Sequence, residues 1–170
     1  LTITDDDATP SFTVADVTTG NENAANHTFT VSLSAVSGRD ITVDYATSNG
    51  TATAGADYTA TSGTLTISAG ATSGTFNVPV LADTTDENNE TATITFSNAS
   101  NVSISDSTAT LTITDDDAAP TIEFNDGSNS DIFSITEQTG TKTVTVALSA
   151  ASAKTITIDY ATTATDSFPT

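Results

Sequence analysis

The segment Leu1-Thr2-Ile3-Thr4-Asp5-Asp6-Asp7-Ala8-Thr9-Pro10 returns 110 positions later as Leu111-Thr112-Ile113-Thr114-Asp115-Asp116-Asp117-Ala118-Ala119-Pro120. A chain that repeats itself at this distance reads as tandem units, each large enough to close its own core. The expected division is residues 1–7 as the last strand of a preceding unit, 8–117 as a complete unit, and 118–170 as the first half of a following one. Three adjacent carboxylates stand at each boundary. They repel one another unless a cation sits among them, so the boundary is where function is sought.

Inside the unit, apolar and polar residues alternate with period two, as in Thr28-Phe29-Thr30-Val31-Ser32-Leu33. That pattern recurs every ten to fifteen residues and predicts seven strands, near 11–15, 27–33, 40–46, 63–67, 74–81, 91–97 and 108–114. The inward set would be Phe12, Val14, Phe29, Val31, Leu33, Ile41, Val43, Tyr45, Leu65, Ile67, Phe76, Val78, Val80, Ile94, Phe96, Leu111 and Ile113. This supplies one sandwich core. After Pro120 the pattern restarts, with 143–149 and 155–161 reading like the second and third strands.

Composition agrees with an all-β chain, because Ser and Thr make up 58 of 170 residues while helix formers are scarce. The net charge of −19 argues against nucleic acid or an anionic membrane surface as a partner and in favour of cations. Without Cys there are no disulfides and no thiolate ligands. No stretch approaches the roughly 20 apolar residues that a membrane span needs.

The acids sort by pole. If strands run alternately up and down, Asp16 and Glu22, Asp57, Asp83, Asp86, Glu87, Glu90 and the 115–117 triplet all fall at one end of the unit. The other end holds Asp40 and Asp106 with Arg39. Oxygen donors without His or Cys suit Ca²⁺, which takes six to eight oxygens in flexible geometry, better than Zn²⁺ or Cu²⁺. Catalysis finds little support: His27, the sole histidine, reads as an exposed edge residue, and no Gly-x-Ser-x-Gly elbow occurs.

These residues also carry a resemblance. Asp44-Tyr45-Ala46-Thr47, Gly55-Ala56-Asp57-Tyr58, Gly63-Thr64-Leu65-Thr66-Ile67, the acidic run from Asp83 to Glu90 and the closing Asp115-Asp116-Asp117 resemble the Calx-beta domain. The resemblance implies immunoglobulin-like seven-stranded antiparallel β-sandwiches in tandem, with a calcium cluster at the acidic pole. It implies as ligands Asp16, Asp57, Asp83, the Thr85 carbonyl, Glu87, Glu90, Asp115, Asp116 and Asp117. Glu137 would match the first acidic position in the second unit. Asp166, by contrast, lacks the neighbouring Gly and Tyr, and 126–131 reads as a polar turn. The function expected is a calcium-rigidified spacer, with calcium ions, adjacent repeats and neighbouring chains of a fibre as partners, in an extracellular or cell-surface protein such as an adhesin or biofilm matrix component. The alternatives are a calcium-sensing regulatory module and a filament assembled by strand exchange.

Overall fold

The computed structural model describes residues 1–125 except 3, 5, 19, 20 and 23–25, and then residues 141 and 143–161. Glu137, Asp166 and the 126–131 turn lie outside the described residues. The alternating segments become strands β1 (Ser11–Val14), β3 (His27–Leu33), β4 (Ile41–Asn49), β5 (Ser62–Ile67), β6 (Ser73–Val78), β7 (Glu90–Ser100) and β9 (Thr108–Ile113). Two short strands, β2 (Val17–Thr18) and β8 (Ser103–Ile104), join them. The order is β6-β3-β1-β8 in one sheet and β2-β9-β7-β4-β5 in the other. The chain therefore folds as an all-β sandwich. Among the described residues no helix is long and apolar enough to cross a membrane.

The faces that meet carry the apolar half of each alternating run. Phe12 and Phe96 touch edge-to-face across the sheets at 5.4 Å, and Tyr45 stacks on Phe76 at 4.0 Å. Burying a side chain of this size is worth about 1.5–3 kcal/mol. Of the expected inward set, Val14, Leu33 and Tyr45 are partly exposed but pack against the core, and the others are buried. Ala52, Tyr58, Ala92 and Ala109 join them without having been foreseen.

His27 departs from the expectation. It is 8% exposed, because β3 pairs with β6 through His27↔Val78, so position 27 shares the inward phase of Phe29 and Val31. The first strand departs too: it breaks at residues 15–16, and its continuation β2 crosses to the other sheet, where it runs parallel to β9. The fifth expected strand, set at 74–81, ends at Val78, where Pro79 lacks the N–H that a ladder needs.

Tight joins hold the loops at the acidic pole. Ala52 N donates to Thr91 O at 2.9 Å, and a Cβ on Gly50 would lie 2.4 Å from that same carbonyl. Only glycine lets the loop after β4 approach the start of β7 so closely. Gly55, at φ 92, turns the chain back so that Tyr58 plugs the core, and the Tyr58 hydroxyl donates to Asn49 Oδ1 at 2.8 Å.

The second unit repeats the opening of the first. Strand β10 (Ile122–Asn125) pairs antiparallel with β11 (Thr145–Leu148), and Ile122↔Leu148 reproduces the Phe12↔Leu33 register. Residues 155–161 form no strand.

Candidate metal centre

Two groups of three carboxylates converge at the acidic pole, the ligand oxygens in each lying within 4.8 Å of one another: Glu22 with Asp115 and Asp117, and Asp57 with Glu87 and Glu90. Each position follows from the fold. Strand β9 runs out into the 115–117 triplet, whose alternation turns Asp115 and Asp117 inward and leaves Asp116 exposed. Asn89 Oδ1 accepts from Asp115 N at 3.2 Å, tying the triplet to the loop ahead of β7. Asp57 is fixed at both ends, its carboxylate accepting from Thr53 N at 2.5 Å and its carbonyl from Leu81 N at 3.0 Å. Asp83 lies in an Asx turn that accepts from Thr85 N at 2.6 Å.

The electrostatics join the two groups into one field. Burial, the facing Asp117, and the charges of Asp83 and Asp115 push the Glu22 carboxyl up to about 7. Burial, with Asp57 opposite and Glu87 and Asp83 nearby, pushes Glu90 up to about 7 as well. Glu87 is raised by burial and then by Asp83, by Asp57 of its own group, and by Asp115 and Asp117 of the other. Two like charges 4 Å apart repel by about 4 kcal/mol at the effective dielectric of a protein surface. Glu22 Oε1, Glu90 Oε2 and Asp117 Oδ2 are buried and accept no hydrogen bond, since each faces another carboxylate. An oxygen in that position is satisfied by a shared proton or by a cation. The all-oxygen donor set and the orphaned oxygens fit a hard divalent cation such as Ca²⁺.

The residues read from the sequence as ligands are therefore not all brought together. Asp57, Glu87, Glu90, Asp115 and Asp117 lie in the two groups, and Asp83 acts on both through its charge. Thr85 orients Asp83, and Asp116 faces outward. Asp16 lies elsewhere: its carboxylate accepts from Thr110 N at 2.7 Å, in the body of β9, because the sheet crossing at residues 15–17 carries it away from the pole. Glu22, past β2, occupies the place intended for Asp16, and it is 6% exposed. Both acids follow the first strand in the sequence, and only the crossing tells them apart. Asp86 belongs to neither group and is held by Lys154 and Ser152.

The sequence model of the Calx-beta domain matches residues 5–117 and again residues 115–167. The chain belongs to the Calx-beta family. Among solved structures, the apo form of the Calx CBD1 domain superposes with a TM-score of 0.59 at 26% identity, over 65% of this chain and 100% of that one. CBD12 of CALX1.1, described as a calcium binding domain, gives 0.58 at 30% identity over 65% of this chain and 47% of its own length. CBD12 from CALX1.2 gives 0.59 at 29% identity, over 69% and 49%. This Calx-beta chain thus spans about half of those CBD12 chains. No curated protein matches it.

The division of labour between Asp16 and Glu22 can be tested directly. Glu22→Gln is expected to remove one calcium ion from the binding stoichiometry measured by calorimetry. Asp16→Asn is expected to leave the stoichiometry intact and lower stability by about 1 kcal/mol, as a charge-assisted bond becomes a neutral one. Loss of an ion from Asp16→Asn with none lost from Glu22→Gln would reverse the assignment.

Proposed function

We propose that this chain is a calcium-rigidified spacer of a long secreted or cell-surface protein of the adhesin, matrix or fibre kind. Calcium would be held by Glu22, Asp115 and Asp117 in one place and by Asp57, Glu87 and Glu90 in the other, with Asp83 between them. What carries the reading is the position of the acids: Asp115 and Asp117 lie in the linker that leads from β9 to β10, so an ion bound there fixes the joint between units and not only the unit. Comparison with the calcium binding domain CBD12 of CALX1.1 supports the choice of ion. The module is non-catalytic on this reading, and the ions it carries offset the mutual repulsion of the two carboxylate groups.

The test uses spin labels on cysteines introduced at Thr30 and Thr145, both exposed and outside the site, in a chain with no native Cys. Calcium is expected to narrow the distribution of distances between them. A distribution equally wide in calcium and in chelator would sink the proposal. Calorimetry separates a spacer from a regulatory sensor, since a spacer bathed in external calcium works with millimolar constants and a sensor needs micromolar ones.

A further inference from the structure

Asp86 is 4% exposed although it stands within an acidic run, and its partners come from the second unit. Lys154 Nζ lies 2.5 Å from Asp86 Oδ1 and 3.3 Å from Asp115 Oδ2. Ser152 Oγ donates to Asp86 Oδ2 at 2.8 Å and lies 3.2 Å from its carbonyl, which also accepts from Ala153 N at 3.0 Å. The turn at 152–154 is thus a peg, and Asp86 is its socket. One protein segment engages both carboxylate oxygens of Asp86 and its carbonyl, and Asp86 belongs to neither of the two carboxylate groups.

The first unit carries the same turn at its opposite pole. Leu33-Ser34-Ala35-Val36-Ser37-Gly38-Arg39 aligns with Leu148-Ser149-Ala150-Ala151-Ser152-Ala153-Lys154. The likeness extends to individual hydrogen bonds. Ser34 N donates to Ser11 O at 2.8 Å as Ser149 N does to Thr121 O at 3.0 Å, and Ser11 N donates to Ser34 Oγ at 3.0 Å as Thr121 N does to Ser149 Oγ at 2.9 Å. The turn itself repeats, with Arg39 N donating to Ser37 Oγ at 3.0 Å and Lys154 N to Ser152 Oγ at 3.1 Å. Two of the three basic residues of the chain occupy this one position. Arg39 is exposed beside a cleft lined by Asp7, Ala8, Thr9 and Pro10, the counterparts of residues 117–120 that join the units at the other pole.

We propose that the face formed by Ser37, Gly38 and Arg39 is a docking surface for the acidic pole of another unit of the same kind, with Arg39 seated against the counterpart of Asp86 and the Gly38 N–H against its carbonyl. The partner is defined by its chemistry: a buried carboxylate flanked by a second one, as Asp86 is by Asp115. Arginine meets that arrangement with a planar fork of donors where Lys154 offers a point charge. The joint formed in this way is directional. It admits a unit only on the side of its triplet, and it needs no metal to form. With the peg alone the joint keeps one pivot, and an ion in the linker supplies a second point of attachment.

The experiment repeats residues 8–117 directly after residue 117 in the full chain, so that the second copy of the peg faces the first copy of Asp86. Amide exchange is followed by mass spectrometry in the peptide containing Gly38, with the original chain as reference. The original chain is expected to give one fast population, and the lengthened chain two, the slower retarded at least tenfold in chelator as well as in calcium. Arg39→Gln in the second copy, or Asp86→Asn in the first, should merge them into one fast population. The surface substitution Arg39→Gln keeps the test open if Asp86→Asn unfolds its unit. A single fast population in the lengthened chain overturns the proposal, and so does protection that appears only with calcium. Protection that persists while calorimetry detects no calcium binding upholds the docking surface and removes the calcium reading instead.

Discussion

Calcium added to the chelated protein is expected to raise its melting temperature by on the order of 20 °C. An ion present at 100 times its dissociation constant stabilises the folded state by about 2.7 kcal/mol. Two ions, one for each carboxylate group, contribute about twice that, and 1 kcal/mol moves the midpoint of a domain of this size by roughly 4 °C. The effect is large because the folded chain holds seven carboxylates in one field, with Glu22, Asp117 and Glu90 each keeping a buried oxygen without a donor. Magnesium, which demands smaller and nearly octahedral cages, is expected to give a fraction of the shift. Scanning calorimetry at matched ionic strength is the measurement. A shift of only a few degrees in saturating calcium, or an equal one in magnesium, would show that the groups are solvated charge and not sites.

The second large effect is on pH, and its direction depends on calcium. In chelator the folded protein holds a proton on Glu22 and on Glu90 up to about pH 7, whereas the unfolded chain releases it near 4.5. The folded state binds more protons across that window, so the stability these two carboxyls contribute is fully present below about 4.5 and falls as pH rises to about 7, while Asp44 and Asp86, both held below the usual carboxylate range, lose theirs only at more acid pH. Each carboxyl loses about 3 kcal/mol over the interval, at 1.36 kcal/mol per pKa unit. Above about 7 the curve is flat. In calcium the slope reverses, since the ion binds the ionised carboxylates and protons compete with it. Urea midpoints at pH 5 and pH 8, with and without calcium, give four numbers that decide the matter. Chelated protein as stable at pH 8 as at pH 5 would mean that the carboxylates are not confronting one another.

How far the sequence discloses this molecule depends on the distance over which each feature is decided. The alternation of Phe29, Val31 and Leu33 or of Leu111 and Ile113 is local, and it places the sheets and nearly all of the core. Tyr58 escapes it because it enters the core from a loop, on a turn set by Gly55 and closed by Asn49. The acidic pole is legible from strand polarity, and so are Asp57, Glu87, Glu90, Asp115 and Asp117 as acids that converge there, but the choice of Glu22 over Asp16 is not. Asp16 and Glu22 follow the same strand, and the switch of sheets that parts them is visible only in the parallel pairing of β2 with β9. The role of Asp86 is hidden for a like reason. Its partner Lys154 lies 68 residues along the chain, and nothing in the acidic run sets Asp86 apart from Glu87 beside it.

The crossing of the first strand also decides how a unit bears tension. Chain tension enters ahead of β1 and leaves after β9, while β2 and β9 lie side by side and parallel, with Val17 opposite Leu111 and Thr18 opposite Thr112. Pulling such a pair from opposite ends loads its rungs in shear, all at once, where an antiparallel hairpin would unzip one at a time. The bond from Thr110 to Asp16 lies on this same line of force. Glu22 follows β2, and Asp115 and Asp117 follow β9, so an ion among these three would be the last rung of the clamp. The mechanical strength of such a unit would then be set by the calcium content of its surroundings.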